Sequence, residues 1–70
     1  MEAIFPYSRI EITTTNSKER FSLINELNAL NEEYEHPSYS NNVFIIESSK
    51  YVVEGLSYYC DEREIEYSIK

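Results

Sequence analysis

The stretch Asn16–Tyr34 constrains the fold more than any other part of the chain, because its apolar residues recur close to the three-and-four spacing of one helical face. These apolar residues are Phe21, Leu23, Ile24, Leu27, Leu30 and Tyr34. Asn16 is a favourable N-cap residue, and Glu19, three positions later, completes the pattern of a capping box. The sequence therefore predicts a helix over Asn16–Tyr34 whose apolar face is covered by the rest of the chain.

Three short segments have the patterns of β-strands. In Arg9–Thr14 and in Glu64–Ile69, apolar and polar residues alternate, as expected for half-buried strands. Val43–Ile46 is instead a run of four apolar residues, three of them β-branched. Such a run is typical of a central strand that is covered on both faces, and we predict that position for it.

The segment Ser48–Glu62 is compatible with two structures. As a helix it has Ser48 as its N-cap, and its apolar face comprises Val52, Val53, Leu56, Tyr59 and Cys60. As a strand, Tyr51–Leu56 forms a hairpin with Val43–Ile46, which gives the order β-α-β-β-β. We favour the helix, because its apolar spacing continues to Cys60 whereas strand alternation fails at Tyr58 and Tyr59.

These elements predict a single α+β domain over residues 1–70, in the order β-α-β-α-β. Right-handed crossovers place both helices on one face of a three-stranded sheet. A domain of this size buries only about 60% of its unfolded surface, so we expect marginal stability unless a partner contributes.

The charge of the chain restricts its partners. Thirteen acidic residues and six basic residues give a net charge of −7. This charge opposes direct binding to nucleic acid or to anionic membranes, and it steers the protein towards a basic partner. A single cysteine, the lack of a signal-peptide pattern and the lack of a long apolar run predict a cytoplasmic protein without a membrane span.

Catalytic and ligand-binding motifs are scarce. His36 is the only histidine and Cys60 the only thiol, and the Cys–His pair that they could form is weakened by the place of Cys60 on an apolar helix face. A metal site made by His36, Glu33 and Glu35 lacks the facing geometry of helical ligands. The single glycine excludes a phosphate-binding loop. We therefore predict no catalytic residues, no metal and no cofactor.

The sheet face opposite the helices is a candidate interface. Strand alternation places Glu11, Glu64 and Glu66 there, around apolar residues of Val43–Ile46. An apolar centre with a charged rim is typical of protein interfaces. The alternative is that the N-terminal segment Ile4–Tyr7 covers this centre.

A second acidic group, Glu32, Glu33 and Glu35, lies at the C-terminal end of the first predicted helix, where the helix dipole disfavours negative charge. A third group, Asp61 and Glu62 together with Glu64 and Glu66, lies near the end of the second helix. The alternative for all of them is an ordinary solvated acidic surface.

Tyrosines are natural contact residues because they combine a large contact area with few rotatable bonds. We expect Tyr39 and Tyr58 to be exposed, with Tyr39 at a contact, and we expect Tyr34, Tyr59 and Tyr67 to lie in the core.

The resulting hypothesis is a small, acidic, non-enzymatic binding protein. It is a nucleic-acid mimic of the kind encoded by phages and other mobile elements, and it inhibits a host enzyme by occupying that enzyme's basic, nucleic-acid-binding surface. The predicted partner-binding residues are Glu11, Glu32, Glu33, Glu35, Tyr39, Asp61, Glu62, Glu64 and Glu66. The alternative is a homo-oligomeric structural or small-ligand-binding module that uses the uncovered sheet face or an edge strand.

Overall fold

The structure, a computed structural model, describes the backbone of residues 7–70 and the side chains of residues 8–70. Its elements are β1 (Tyr7–Thr13), α1 (Ser17–Ala29), β2 (Val43–Ser49), α2 (Lys50–Arg63) and β3 (Glu66–Ile69). The strands form one antiparallel sheet in the order β2-β1-β3. The predicted α+β class and the order β-α-β-α-β are confirmed, and the alternative strand over Tyr51–Leu56 is wrong because these residues lie within α2.

Both helices pack on the face of the sheet that carries Ile10 and Ile12 of β1. These two residues are completely buried, as are Phe44 and Ile46 of β2. The helices and the segment before β3 complete the core with Leu23, Leu27, Val53, Leu56, Tyr59, Cys60 and Ile65. Their burial supplies most of the hydrophobic free energy of folding, because they are the residues most fully removed from water.

The predicted central position of Val43–Ile46 is wrong. The central strand is β1, whereas β2 lies at one side of the sheet. Phe44 and Ile46 face the core, but Val43 and Ile45 are only half-buried on the other face. The apolar run therefore reflects two different environments, and a sequence of four residues does not distinguish them.

Helix α1 begins as predicted and ends earlier. The side chain of Asn16 accepts a hydrogen bond from Glu19 N–H at 2.8 Å, while the Glu19 carboxylate accepts from Thr15 N–H at 2.8 Å, one residue before the N-cap. The helix ends at Ala29, and Asn31 then adopts a left-handed conformation (φ 59°) that turns the chain away from the helix axis.

Two residues of the predicted apolar face of α1 are in fact exposed. Phe21 is 60% exposed and Leu30 is 42% exposed. Tyr34 lies beyond the end of the helix, where its ring packs on that of Phe44 with the centroids 5.1 Å apart. The buried stripe of α1 is therefore limited to Leu23 and Leu27, with Ile24 partly buried beside them.

Helix α2 is confirmed, but its N-cap is Ser49. The Ser49 hydroxyl accepts a hydrogen bond from Val52 N–H at 3.3 Å, whereas the predicted cap Ser48 belongs to β2. At the other end Glu64 has a left-handed conformation (φ 58°), and Ile65 N–H donates to Cys60 C=O at 2.9 Å. This bond satisfies a carbonyl at the helix end and directs the chain into β3.

Candidate protein-binding surface

The sheet face opposite the helices, called here the open face, is defined by the strand register. Residues directly opposite each other in antiparallel strands share a face, so each register row gives three neighbours. Thr13 of β1 lies between Val43 and Glu66, and Glu11 lies between Ile45 and Ser68. The next row is Glu47, Arg9 and Lys70, and the register continues to the pair Ser49 and Tyr7. Among residues 7–70, neither helix packs on this face. The alternative in which Ile4–Tyr7 covers it concerns residues 4–6 and the Tyr7 side chain, which lie outside the described part of the chain.

A fourth carboxylate reaches the open face from outside the three strands. Glu35 exchanges two backbone hydrogen bonds with Ile45, at 2.9 and 2.8 Å, on the outer side of β2. Glu35 therefore continues the row of Ile45 and Glu11 by one more position. Adjacent strands lie about 4.8 Å apart, so Glu35 and Glu11 are separated by about 10 Å across Ile45.

A shallow depression lies at this outer side of the open face. Its lining residues are Glu33, Tyr34, Glu35, Ile45 and Glu47. Three carboxylates therefore lie around the apolar side chain of Ile45, while the Tyr34 ring packs on Phe44. We define the acidic rim as Glu33, Glu35 and Glu47.

Arg9 offsets part of the negative charge. Its guanidinium lies 3.1 Å from the Glu11 carboxylate and 3.8 Å from that of Glu47, and these side chains are partly exposed. Exposed ion pairs of this kind contribute about 0–1 kcal/mol each. The other basic residue of the face is Lys70. Five carboxylates (Glu11, Glu33, Glu35, Glu47 and Glu66) therefore share the open face and its rim with two cations.

The structure assembles only part of the predicted partner-binding set. Glu11 and Glu66 lie on the open face as predicted, and Glu33 and Glu35 lie at its rim. The predicted position of Glu64 on this face is wrong, because Glu64 is the left-handed cap of α2 and does not belong to β3. Strand alternation does not apply to a residue with helix-cap geometry.

The other predicted acids lie in the helical layer. The Asp61 carboxylate accepts a hydrogen bond from the Tyr67 hydroxyl at 3.0 Å, and this bond raises the pKa of Tyr67. Glu62 lies 3.7 Å from Arg63 within α2. These two residues therefore do not share a surface with the open face.

The acidic residues Glu32, Glu33 and Glu35 lie just beyond the last turn of α1, because the helix ends at Ala29. Glu32 N–H still donates to Leu27 C=O at 2.9 Å, so Glu32 lies directly at the helix terminus. The dipole effect falls off within the terminal turn, so the predicted conflict weakens from Glu32 towards Glu35.

Tyrosine exposure follows the predictions. Tyr39, in the loop before β2, is 84% exposed, and Tyr58 is 67% exposed. Tyr59 is buried in the core, with Tyr34 and Tyr67 partly buried against it.

Glu47 belongs to the acidic rim but is not among the predicted partner-binding residues. The predicted strand stopped at Ile46, whereas β2 continues to Ser49. Two-residue alternation from Val43 through Ile45 to Glu47 was the available signal. The continuous apolar run obscured this alternation.

Cys60 and His36 have different environments. Cys60 is completely buried, and burial raises the pKa of its thiol to about 11, with the nearby Asp61 charge acting in the same direction. A thiol with this pKa is almost entirely protonated at neutral pH and is a poor nucleophile. His36 donates from Nδ1–H to Val43 C=O at 2.8 Å, and its ring packs on Phe44 with the centroids 4.4 Å apart.

Within residues 7–70, no group of three or more His, Cys, Asp or Glu residues is arranged to hold a metal ion. Neither α1 nor α2 has the length and apolar character needed to cross a bilayer.

Comparisons with protein-family models, curated proteins and solved structures found no match to this chain.

Proposed function

We propose that this chain is a small acidic binding protein whose open face docks onto a basic surface of another protein. The observation that supports this proposal is the mixed character of the face. Half-buried Val43 and Ile45 lie among carboxylates from three strands and from the bridging segment at Glu35. Apolar residues with a charged surround are typical of surfaces that exclude water from the centre of a contact.

The charge of the face supports a basic partner. Five carboxylates against two cations attract a lysine- or arginine-rich surface and repel nucleic acid. Basic surfaces of this type are common on enzymes that hold nucleic acid, because phosphate binding needs them. The narrowest form of the proposal is therefore a cytoplasmic mobile-element inhibitor that occupies such a surface in place of nucleic acid.

A defined probe tests where a basic partner binds. The ¹⁵N-labelled full chain is titrated with a ten-residue lysine peptide, and amide chemical shifts are followed by NMR. We expect the largest changes near Glu11, Glu35 and Glu47, and we expect them to weaken with added salt because exposed charges are screened. Equal changes along the outer surface of α2 would contradict the proposal.

Two charge-reversal variants with the same net charge provide the control. Glu35→Lys combined with Glu47→Lys removes two carboxylates of the acidic rim, whereas Glu54→Lys combined with Glu62→Lys changes exposed residues of α2. We expect the first pair to weaken peptide binding at least about fivefold, since each exposed ion pair contributes up to about 1 kcal/mol. Equal weakening by both pairs would indicate a non-specific effect of net charge.

A further inference from the structure

The outer edge of β3 has backbone groups that point away from the sheet. Lys70 N–H donates to Arg9 C=O at 2.8 Å, so the backbone groups of Lys70 are directed towards β1. Because these directions alternate along a strand, the groups of Ser68 also point to β1, while those of Tyr67 and Ile69 point outwards. Among residues 7–70, no strand pairs with this edge.

The opposite edge of the sheet is treated differently. On the outer side of β2, Glu35 bonds to Ile45 through both backbone groups, and His36 caps the Val43 carbonyl at 2.8 Å. Edges left unpaired are the usual sites at which sheets add another strand. Within the described part of the chain, partners therefore cover the outer edge of β2 at Val43 and Ile45, whereas no strand covers the outer edge of β3.

We propose that β3 pairs antiparallel with β3 of a second copy of this chain, about a two-fold axis at Ser68, to form a six-stranded sheet. In this register Tyr67 and Ile69 of one copy lie opposite Ile69 and Tyr67 of the other. Both are outward-pointing residues, so the two pairs make four backbone hydrogen bonds. This isologous contact closes as a dimer.

Other two-fold registers make fewer bonds. An axis at Tyr67 would pair Ile69 with Ile65 of the second copy, but Ile65 N–H already donates to Cys60 C=O at 2.9 Å. An axis at Ile69 places Tyr67 opposite a position beyond the end of β3 (Glu66–Ile69). Only the axis at Ser68 uses both outward-pointing residues of β3 completely.

The side chains favour the same register. On the open face, Glu66 of each copy lies opposite Lys70 of the other, which gives two pairs of opposite charge. On the helix face, Ile69 is 47% exposed in the single chain and packs beside Tyr67 of the second copy. Cross-strand pairs of opposite charge and of aromatic with β-branched residues both stabilise sheets.

The dimer is expected to be weak. A short edge strand forms an interface below the standard size, and a net charge of −7 on each copy adds long-range repulsion. Self-association of the full chain is therefore measured by sedimentation velocity at protein concentrations up to about 1 mM, at which a dimer with a Kd of that order is populated. Amide hydrogen exchange at high and low concentration locates the contact, and we expect concentration-dependent protection at Tyr67 and Ile69.

Charge exchange tests the register. In Glu66→Lys, the new lysine of each copy lies opposite Lys70 of the other, and in Lys70→Glu the new glutamate lies opposite Glu66. Like charges then meet at both pairs, so each variant should self-associate at least about fivefold more weakly than the unchanged chain. An equal mixture of the two variants restores opposite charges at both positions and should form a heterodimer. The double variant E66K/K70E should recover the original association while keeping the original net charge.

Glu54→Lys is the matched control, because it changes the net charge by the same amount as Glu66→Lys at an exposed position of α2. It should leave self-association intact or strengthen it slightly through lower repulsion. A chain that stays monomeric at about 1 mM would overturn the proposal, as would failure of both the mixture and the double variant to recover association. These measurements need no basic partner, so their result is independent of the proposed function.

Discussion

Replacement of Gly55 by alanine should stabilise the protein, although this glycine is the only one in the chain. Gly55 lies inside α2, has no positive φ, and is exposed. Apart from its chain neighbours and the backbone of its own helix, an added Cβ would meet no atom within 4 Å, so alanine introduces no clash with the rest of the protein. Alanine also restricts the unfolded chain and favours helix by about 0.8–1.0 kcal/mol relative to glycine.

The free energy of unfolding of Gly55→Ala should therefore rise by nearly that full amount. For a domain of this size, 1 kcal/mol raises Tm by about 4–8 °C. Circular dichroism during heating and during urea titration measures the change, and the urea m-value should stay constant because the exposed surface is the same. The matched control is Glu54→Ala, an exposed substitution in the same turn, which should change stability by less than about 0.5 kcal/mol.

A lower or unchanged Tm for Gly55→Ala, at constant m-value, would refute this reasoning. It would mean that position 55 has a contact or a backbone requirement that the helix geometry does not contain. If Gly55→Ala is stabilising, the glycine is not explained by the fold of residues 7–70.

Three further predictions concern the core, a helix cap and the buried thiol. Ile12→Val removes one methylene from a completely buried site and should lower the unfolding free energy by about 0.5–1.5 kcal/mol in urea titration; no loss would contradict the packing of β1. Asn16→Ala should cost about 1 kcal/mol because Glu19 N–H loses its acceptor, whereas Asn16→Asp should retain most of the stability; equal losses would argue against the cap. Burial raises the pKa of the Cys60 thiol from its ordinary 9.0 to about 11. The thiol therefore contributes its full stabilisation of the folded state below pH 9, and this contribution is lost as the pH rises from 9 towards 11. Cys60→Ala should be less stable than the unchanged chain at pH 7, but its unfolding free energy should fall less steeply between pH 9 and 11; identical slopes would refute the raised pKa of Cys60.

Local sequence patterns were sufficient for the elements themselves. The Asn16 cap, the buried positions of Leu23 and Leu27, and the helical nature of α2 all follow from side-chain spacing within one element. The cap and the helix depend on interactions between residues a few positions apart, and the spacing of Leu23 and Leu27 places both on one helix face; all of these patterns are directly visible in a sequence.

The errors arose where the environment of a residue depends on distant parts of the chain. Ile45 and Phe44 have similar sequence neighbours, yet only Phe44 faces the core. The end of α1 at Ala29 was missed because Tyr34 continues the helical spacing while packing on Phe44 from outside the helix. Hydrophobic periodicity indicates which residues are candidates for burial, although Phe21 and Leu30 are exposed, and it does not identify the element that provides the burial.

The candidate surface likewise depends partly on the sequence alone and partly on the tertiary structure. The sequence alone determined the excess of carboxylates, the two helices and the alternation that separates Ile10 from Glu11. Only the tertiary structure decided that β1 is the central strand, that Glu35 and Glu47 flank Ile45, and that Asp61 lies in the helical layer. The physical reason is that strand order and register are fixed by the joint burial of both helices on one face of the sheet, which is a property of the whole chain.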